Sequence, residues 1–141
     1  LAKAYRAWAA TYDHETAALG YLLPFLITSW VARYVPAGEG PLLDAGCGTG
    51  GTLKAIAGTF PHAALHGLDI AEQACAFTRN KTGASVQVGS VDALPYADCT
   101  FDALVSCDVL ATSRAGAANQ RAYAYINKVA KKEKAMSGQL N

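Results

Sequence analysis

The chain is short of charge. Lys, Arg, Asp and Glu make up only 16% of its 141 residues, below the usual quarter for a soluble domain. The balance is a formal net +1, which argues against the basic surface that a nucleic-acid partner requires. Cysteine is sparse as well: four residues, at positions 47, 75, 99 and 107, with no C-x-x-C spacing. That excludes a zinc knuckle or a disulfide frame and reads as reduced thiols in a cytoplasmic chain. No charged leader with a small-residue cleavage site is visible, so nothing signals secretion. The opening residue, Leu1, is compatible with a trimmed natural start.

A long uninterrupted apolar run is also lacking. No charge occurs from Thr16 to Ala32, which touches the lower length limit for a membrane span. Gly20 and Pro24 divide that stretch, and Pro24 is better placed as the first residue of a helix. A helix from Pro24 to about Val35 puts Leu23, Leu26, Trp30 and Tyr34 along one side, the pattern of a packed helix and not of a span. No membrane partner is expected. The length allows one domain with a real core and leaves no room for two.

What is present is a glycine-rich turn. Leu42-Leu43-Asp44-Ala45-Gly46-Cys47-Gly48-Thr49-Gly50-Gly51 reads as a buried strand with an acid near its carboxyl end, then a turn that opens a helix. Glycines at alternate positions reach backbone angles other residues avoid and let a ligand approach bare main chain. The following helix offers unpaired N–H groups and a positive dipole end. Gly46, Gly48 and Gly51 satisfy the dinucleotide fingerprint G-x-G-x-x-G literally, so a nicotinamide-dependent oxidoreductase is an alternative. Asp44 changes the balance: a carboxylate beside the loop repels a pyrophosphate but suits a ligand with an ammonium and no phosphate. S-adenosylmethionine is such a ligand.

Asp44 to Gly50 resembles the first motif of the class I S-adenosylmethionine-dependent methyltransferases. Two later segments extend the resemblance. Ala64 to Ile70 looks like a second strand ending in Asp69, and an acid about 20 residues beyond the loop is where a ribose-binding carboxylate belongs. Val86 to Ser106 resembles the family's third and fourth strands. Its Leu94-Pro95-Tyr96 turn and Phe101-Asp102 pair are typical of the ubiquinone and menaquinone biosynthesis branch. The resemblance covers roughly Tyr5 to Leu110 and implies a cofactor role for each matching residue. Asp44 would hold the methionine ammonium, and Gly46 and Gly48 would admit the ligand. Asp69 would fix both ribose hydroxyls, and Asp92 with the Ala93 N–H would grip adenine. The main chain around Cys107 would meet the amino acid end. Cys47 and Ile70 count with them as neighbours in the same turns. Tyr12, in a Tyr-Asp pair, would reach the methionine carboxylate, although Tyr5, Trp8 and Tyr12 equally describe one side of an amphipathic helix. His14 is the weak candidate for a catalytic base. His66 reads as a packing residue and His62 as a solvated one. No metal site is expected. The segment after the fourth strand, Ser106-Cys107-Asp108-Val109, lacks the sequence of base-amino methyltransferases, so the acceptor is expected to be a small molecule.

The coarse order is two helices, then strand 41–45, helix 50–59, strand 64–69, helix 71–81, strands 85–89 and 101–107, and a helix at about 115–135. Alternating strands and helices imply an α/β, doubly wound, Rossmann-like parallel sheet of order 3-2-1-4. The chain divides into a helical cap (1–36), a cofactor-binding core (37–110) and a carboxyl-terminal helix and tail (111–141), within one domain. Relatives continue with a Pro-Gly-Gly turn and three more strands, and these are expected to be missing here. The fourth strand is then an apolar edge that invites pairing. A fragment, a shortened product and a homo-oligomer that covers the edge all remain open. A non-catalytic binding remnant is the third functional class.

Overall fold

Leu42, Leu43 and Ala45 surround one acid, Asp44, and all four residues are buried. A run this apolar suits a strand covered on both faces. The computed structural model describes residues 22–34 and 40–106, together with Thr11, His14, Glu15 and Gly20. In it this run is β1 (Leu42–Ala45), an inner strand of a sheet completed by β2 (Leu65–Asp69), β3 (Ser85–Val88) and β4 (Ala103–Val105). The order is β3-β2-β1-β4 and every pairing is parallel, as the alternation of elements predicts. Asp44 lies opposite Gly67 on one side and Val105 on the other. Asp69 ends β2 opposite Val88.

Three helices are described: α1 (Leu23–Tyr34), α2 (Gly51–Thr59) and α3 (Glu72–Thr82). Strand alternation sorts their packing. Leu42 joins Ile27 and Val31 of α1 and Ile56 of α2 in one buried cluster. Cys47, Leu53, Cys75 and Val86 form a second beneath α2 and α3. On the opposite face, Leu43, Ala45 and Leu68 meet Leu94 and Phe101. Phe101 takes Tyr96 and His66 edge-on, at centroid distances of 4.9 and 5.2 Å. His66 is thus a packing residue, and His62 is exposed in a turn, both as expected.

Two expectations need correction. The buried side of α1 is Pro24, Ile27, Thr28 and Val31, whereas Leu26 and Trp30 are 51% and 58% exposed. The helix carries apolar residues on both sides, so periodicity alone could not choose; the compact Ile27 and Val31 are the ones that fit against β1 and α2. The last strand is also shorter than the expected 101–107. Phe101 makes only an isolated bridge, because Asp102 turns its N–H to the Pro41 carbonyl (2.9 Å) before regular pairing begins at Ala103. The amino-terminal helix, the helix at about 115–135 and the tail lie outside the described residues. Among the described residues no helix is long and apolar enough to cross a membrane.

The ends of α3 follow from local chemistry. Glu72 sits in its first turn and Arg79 and Lys81 in its last, each the favourable sign for the helix dipole. Gly83 closes it in the left-handed conformation, with its N–H on the Arg79 carbonyl at 3.0 Å. Arg79 then reaches β3, donating from Nε and Nη2 to the Val86 carbonyl at 3.1 and 2.8 Å. In this way α3 is fastened to the strand it precedes.

Gly67 lies tight beneath α2 and the glycine loop. A β-carbon there would lie 3.0 Å from Cys47 Sγ and 3.1 Å from Leu53 Cδ1. Gly67→Ala therefore overpacks the junction of β2, α2 and the glycine loop. A loss of about 1–3 kcal/mol is expected, read as a lower midpoint in urea unfolding with an unchanged slope.

Candidate functional site

The glycine loop between β1 and α2 is shaped by internal hydrogen bonds. Gly46, Gly48 and Gly50 have φ of 85°, 53° and 85°, angles that a residue with a β-carbon rarely adopts. Gly46 and Cys47 both donate to the Leu68 carbonyl, at 2.7 and 3.0 Å, and Gly50 donates to Cys47 at 2.9 Å. The Gly48 N–H goes to Asp69 Oδ2 (2.9 Å), and the Gly48 carbonyl accepts from Thr78 Oγ1 (2.8 Å). Gly46, Cys47, Gly48 and Gly50 thus spend their N–H groups inside the protein.

Asp69 holds two segments at once. Its Oδ2 takes Gly48, and its Oδ1 takes the N–H of Ala71 at 2.9 Å, just before α3. The side chain is 8% exposed. Ile70, next in sequence, is 58% exposed beside it.

Asp44 is different. It is 1% exposed, and its Oδ1 is one of two buried side-chain polar atoms without a partner among the described residues. Burial, and then the negative charge of Asp69, push its carboxyl from 3.8 up to about 7. An unpartnered buried carboxylate is costly, so this position has a use for a cation.

The other expected residues are placed unevenly. Asp92 is half-buried in the turn after β3, with its N–H on Ser90 Oγ at 3.2 Å. The Ala93 N–H, expected to face adenine, donates to the Ser90 carbonyl at 3.1 Å. Cys47 contributes main chain to the loop, but its thiol lies in the buried cluster with Leu53, Cys75 and Val86. His14 is exposed. Tyr12 and Cys107 lie outside the described residues. Among the described residues no group of His, Cys, Asp and Glu could hold a metal ion.

Three residues of the site escaped the sequence reading. Thr78 is fully buried on α3 and braces the loop; the available signal was a hydroxyl at helical spacing from Ala74 and Cys75. Gly67 gives Cys47 its room. Tyr96 buries its hydroxyl without a partner among the described residues, and burial raises its pKa.

A parallel sheet with a carboxylate near the end of β1, a pinned glycine turn and a second carboxylate ending β2 is now in view. A model of the methyltransferase domain matches residues 42–133. The chain belongs to the methyltransferase domain family. Solved structures share its fold. A protein from Methanococcus maripaludis, assigned as an S-adenosyl-L-methionine-dependent methyltransferase, is 19% identical with a TM-score of 0.74; the match covers 89% of this chain and 59% of that one. One from Galdieria sulphuraria, assigned as a sarcosine dimethylglycine methyltransferase, is 21% identical at a TM-score of 0.63, covering 76% and 43%. The [4+2]-cyclase SpnF is 26% identical at 0.65, covering 74% and 40%. No curated protein matches. This methyltransferase domain therefore spans well under two thirds of the length of these structures.

The buried carboxyl sets a pH dependence. Its folded pKa of about 7 lies above the ordinary 3.8, so between those values the native state holds more proton than the unfolded state. Its contribution to stability is most favourable at the acid end of that window. It declines as pH rises towards 7, by at most about 1.4 kcal/mol per pH unit. Asp44→Asn removes the charge. The ligand-free variant is expected to melt higher than the parent at pH 8 and close to it at pH 5, as followed by circular dichroism. Thr78→Val, nearly isosteric, strands the Gly48 carbonyl and is expected to cost about 1–3 kcal/mol in the same measurement.

Proposed function

We propose that this methyltransferase domain binds S-adenosylmethionine and presents its methyl group to a small-molecule acceptor. The observation that carries the reading is the buried, unpartnered Oδ1 of Asp44 beside the glycine turn. An ammonium satisfies that oxygen and relieves its repulsion with Asp69. A pyrophosphate does the reverse, and it would also find the N–H groups of Gly46, Cys47, Gly48 and Gly50 already engaged. The nicotinamide alternative is disfavoured on both counts.

Each residue then has a task. Asp44 holds the methionine ammonium. Asp69 keeps further lone pairs on both oxygens, so it can accept two ribose hydroxyls while still gripping Gly48 and Ala71. Ile70 offers exposed aliphatic surface next to that ribose site, where an adenine ring can lie. Asp92 accepts the exocyclic amine. The Ala93 N–H serves a ring nitrogen only by sharing itself with the Ser90 carbonyl. The bound cofactor supplies an already activated methyl carbon on a sulfonium, so the protein's part is alignment and exclusion of water. A dedicated base is not required for an acceptor that ionises readily, and His14 stays the only named candidate. Tyr12 would reach the methionine carboxylate and the main chain around Cys107 the amino acid end, while segments beyond β4 would complete the acceptor side. β4 pairs only with β1 among the described residues, and a second copy is proposed to cover its free edge if no further strand does. The free thiols of Cys47, Cys75 and Cys99 fit a cytoplasmic protein.

The fold itself hosts other chemistry, as the cyclase shows, so binding and turnover need separate tests. Calorimetric titration with S-adenosylhomocysteine is expected to show saturable one-to-one binding, tighter at pH 8 than at pH 6 because Asp44 must be ionised. Asp92→Ala is expected to weaken it at least ten-fold with little change in melting temperature. Asp69→Ala should lower both, since it also frees Gly48 and Ala71. Tight binding of NADH in place of S-adenosylhomocysteine would overturn the reading. Cofactor binding without methyl transfer to any of a broad acceptor panel would assign the chain to the non-catalytic class.

A further inference from the structure

The outer side of α1 has no task in the proposed chemistry. Leu22, just before the helix, and Phe25 are 63% and 64% exposed, and Leu26 and Trp30 are each more than half exposed beside them. The Leu22 carbonyl accepts the N–H groups of Phe25 and Leu26, at 3.0 and 3.2 Å, so the four side chains share one helical frame. Spacings of three and four line them up, with Ser29, opposite the buried Pro24, Ile27, Thr28 and Val31. A helix that is apolar on both sides belongs between partners, not against water.

We propose that this stripe is a self-association seam, through which two copies of the chain pair by antiparallel packing of their α1 helices. Three observations favour a second copy as the occupant. The only charged residue of α1 is Arg33, in its last turn. The helix therefore lacks the basic flank that draws an interfacial helix to anionic lipid, and it offers nothing to a charged peptide. The polar member of the stripe is already satisfied, because Ser29 Oγ donates to the Phe25 carbonyl at 2.9 Å. Burying it leaves no donor stranded. The stripe is also complementary to itself. Run antiparallel about a two-fold axis between Leu26 and Ser29, it sets Phe25 of each copy against Trp30 of the other. The small Ser29 then meets Leu26 at the centre, which lets the helices approach to the usual 8–10 Å, roughly. Each copy offers on the order of 400 Å² of apolar surface, the scale of a functional patch. Two such stripes with their flanks reach the roughly 1,000 Å² that a specific, reversible interface needs. The same surface serves both copies, so the contact closes at two. This seam is separate from the free edge of β4 and does not depend on the cofactor reading.

Sedimentation equilibrium of the full chain over a range of concentrations tests the seam. A dimer that dissociates on dilution is expected. Leu26→Arg should raise its dissociation constant at least about ten-fold, with the far-ultraviolet circular dichroism of the parent retained, because Leu26 is exposed within one copy. Leu22→Lys, outside the helix, repeats the test should the first variant fold poorly. Phe25→Lys and Trp30→Glu should each give monomers, and mixing those two variants should restore the dimer, since the introduced opposite charges meet across the antiparallel seam. A chain that stays monomeric at every concentration overturns the proposal, and so does a mixture that fails to pair. A dimer untouched by Leu26→Arg and Leu22→Lys assigns association to another surface, such as the β4 edge, and overturns it as well. The fluorescence of Trp30, read in a Trp8→Phe background, should shift to the blue as the dimer forms. A blue-shifted, shielded Trp30 in a monomer means that another segment of the same chain covers the stripe, which leaves no seam for a second copy.

Discussion

One carboxylate organises the site. Asp69 accepts the N–H of Gly48 from far back in the chain and that of Ala71 just ahead of it. Hydrogen bonds from backbone amides to an ionised acid are among the stronger ones in proteins, and these two join β2, the glycine turn and the start of α3. The turn cannot drift, because Thr78 holds the carbonyl of the same Gly48 whose amide Asp69 holds. α3 in turn is fastened to β3 through Arg79. A shape that glycine could easily leave is thereby made the single low-energy one.

The same negative charge makes Asp44 uncomfortable. Asp44 has one oxygen with no partner, little exposure and an ionised neighbour. Folding alone gains nothing from an acid there; an apolar residue would suit an inner strand better. Proteins keep such locally unfavourable groups where a ligand relieves them. In the proposed reading the cation of the cofactor does so. Pre-arranged repulsion between the two acids then works as selectivity, because a cationic ligand removes it and an anionic one adds to it.

Much of this was legible from the chain. Leu42 to Ala45, the glycines at 46, 48 and 50, and the acid at 69 announce strand, turn and strand through properties that belong to each residue alone. The sheet order follows from alternating elements and right-handed crossovers. What escaped depends on pairs of distant residues. Which side of α1 is buried depends on the space that β1 and α2 leave, and both sides of that helix are apolar. Thr78 matters because it lies under Gly48, and Gly67 because Cys47 lies over it; neither fact has a local signature. Asp92 could be named from the sequence, but the turn that occupies the Ala93 N–H is a matter of how Ser90 folds back.

The placement of these groups also explains why the fold can keep its cofactor side while its chemistry varies. Asp44, Asp69 and Asp92 belong to β1, to β2 and to the turn after β3, and the side-chain hydrogen bonds of Asp69 stay within that part of the fold. β4 flanks β1 by parallel pairing, and Ser106, just beyond it, donates from Oγ to the Ala45 carbonyl at 2.9 Å. Nucleoside recognition, as proposed, is therefore a property of the first three strands and their crossovers. Segments attached beyond β4 or before α1 can change without disturbing it. Solved structures assigned as a methyltransferase and as a [4+2]-cyclase share this fold, so the strand framework alone does not fix the chemistry.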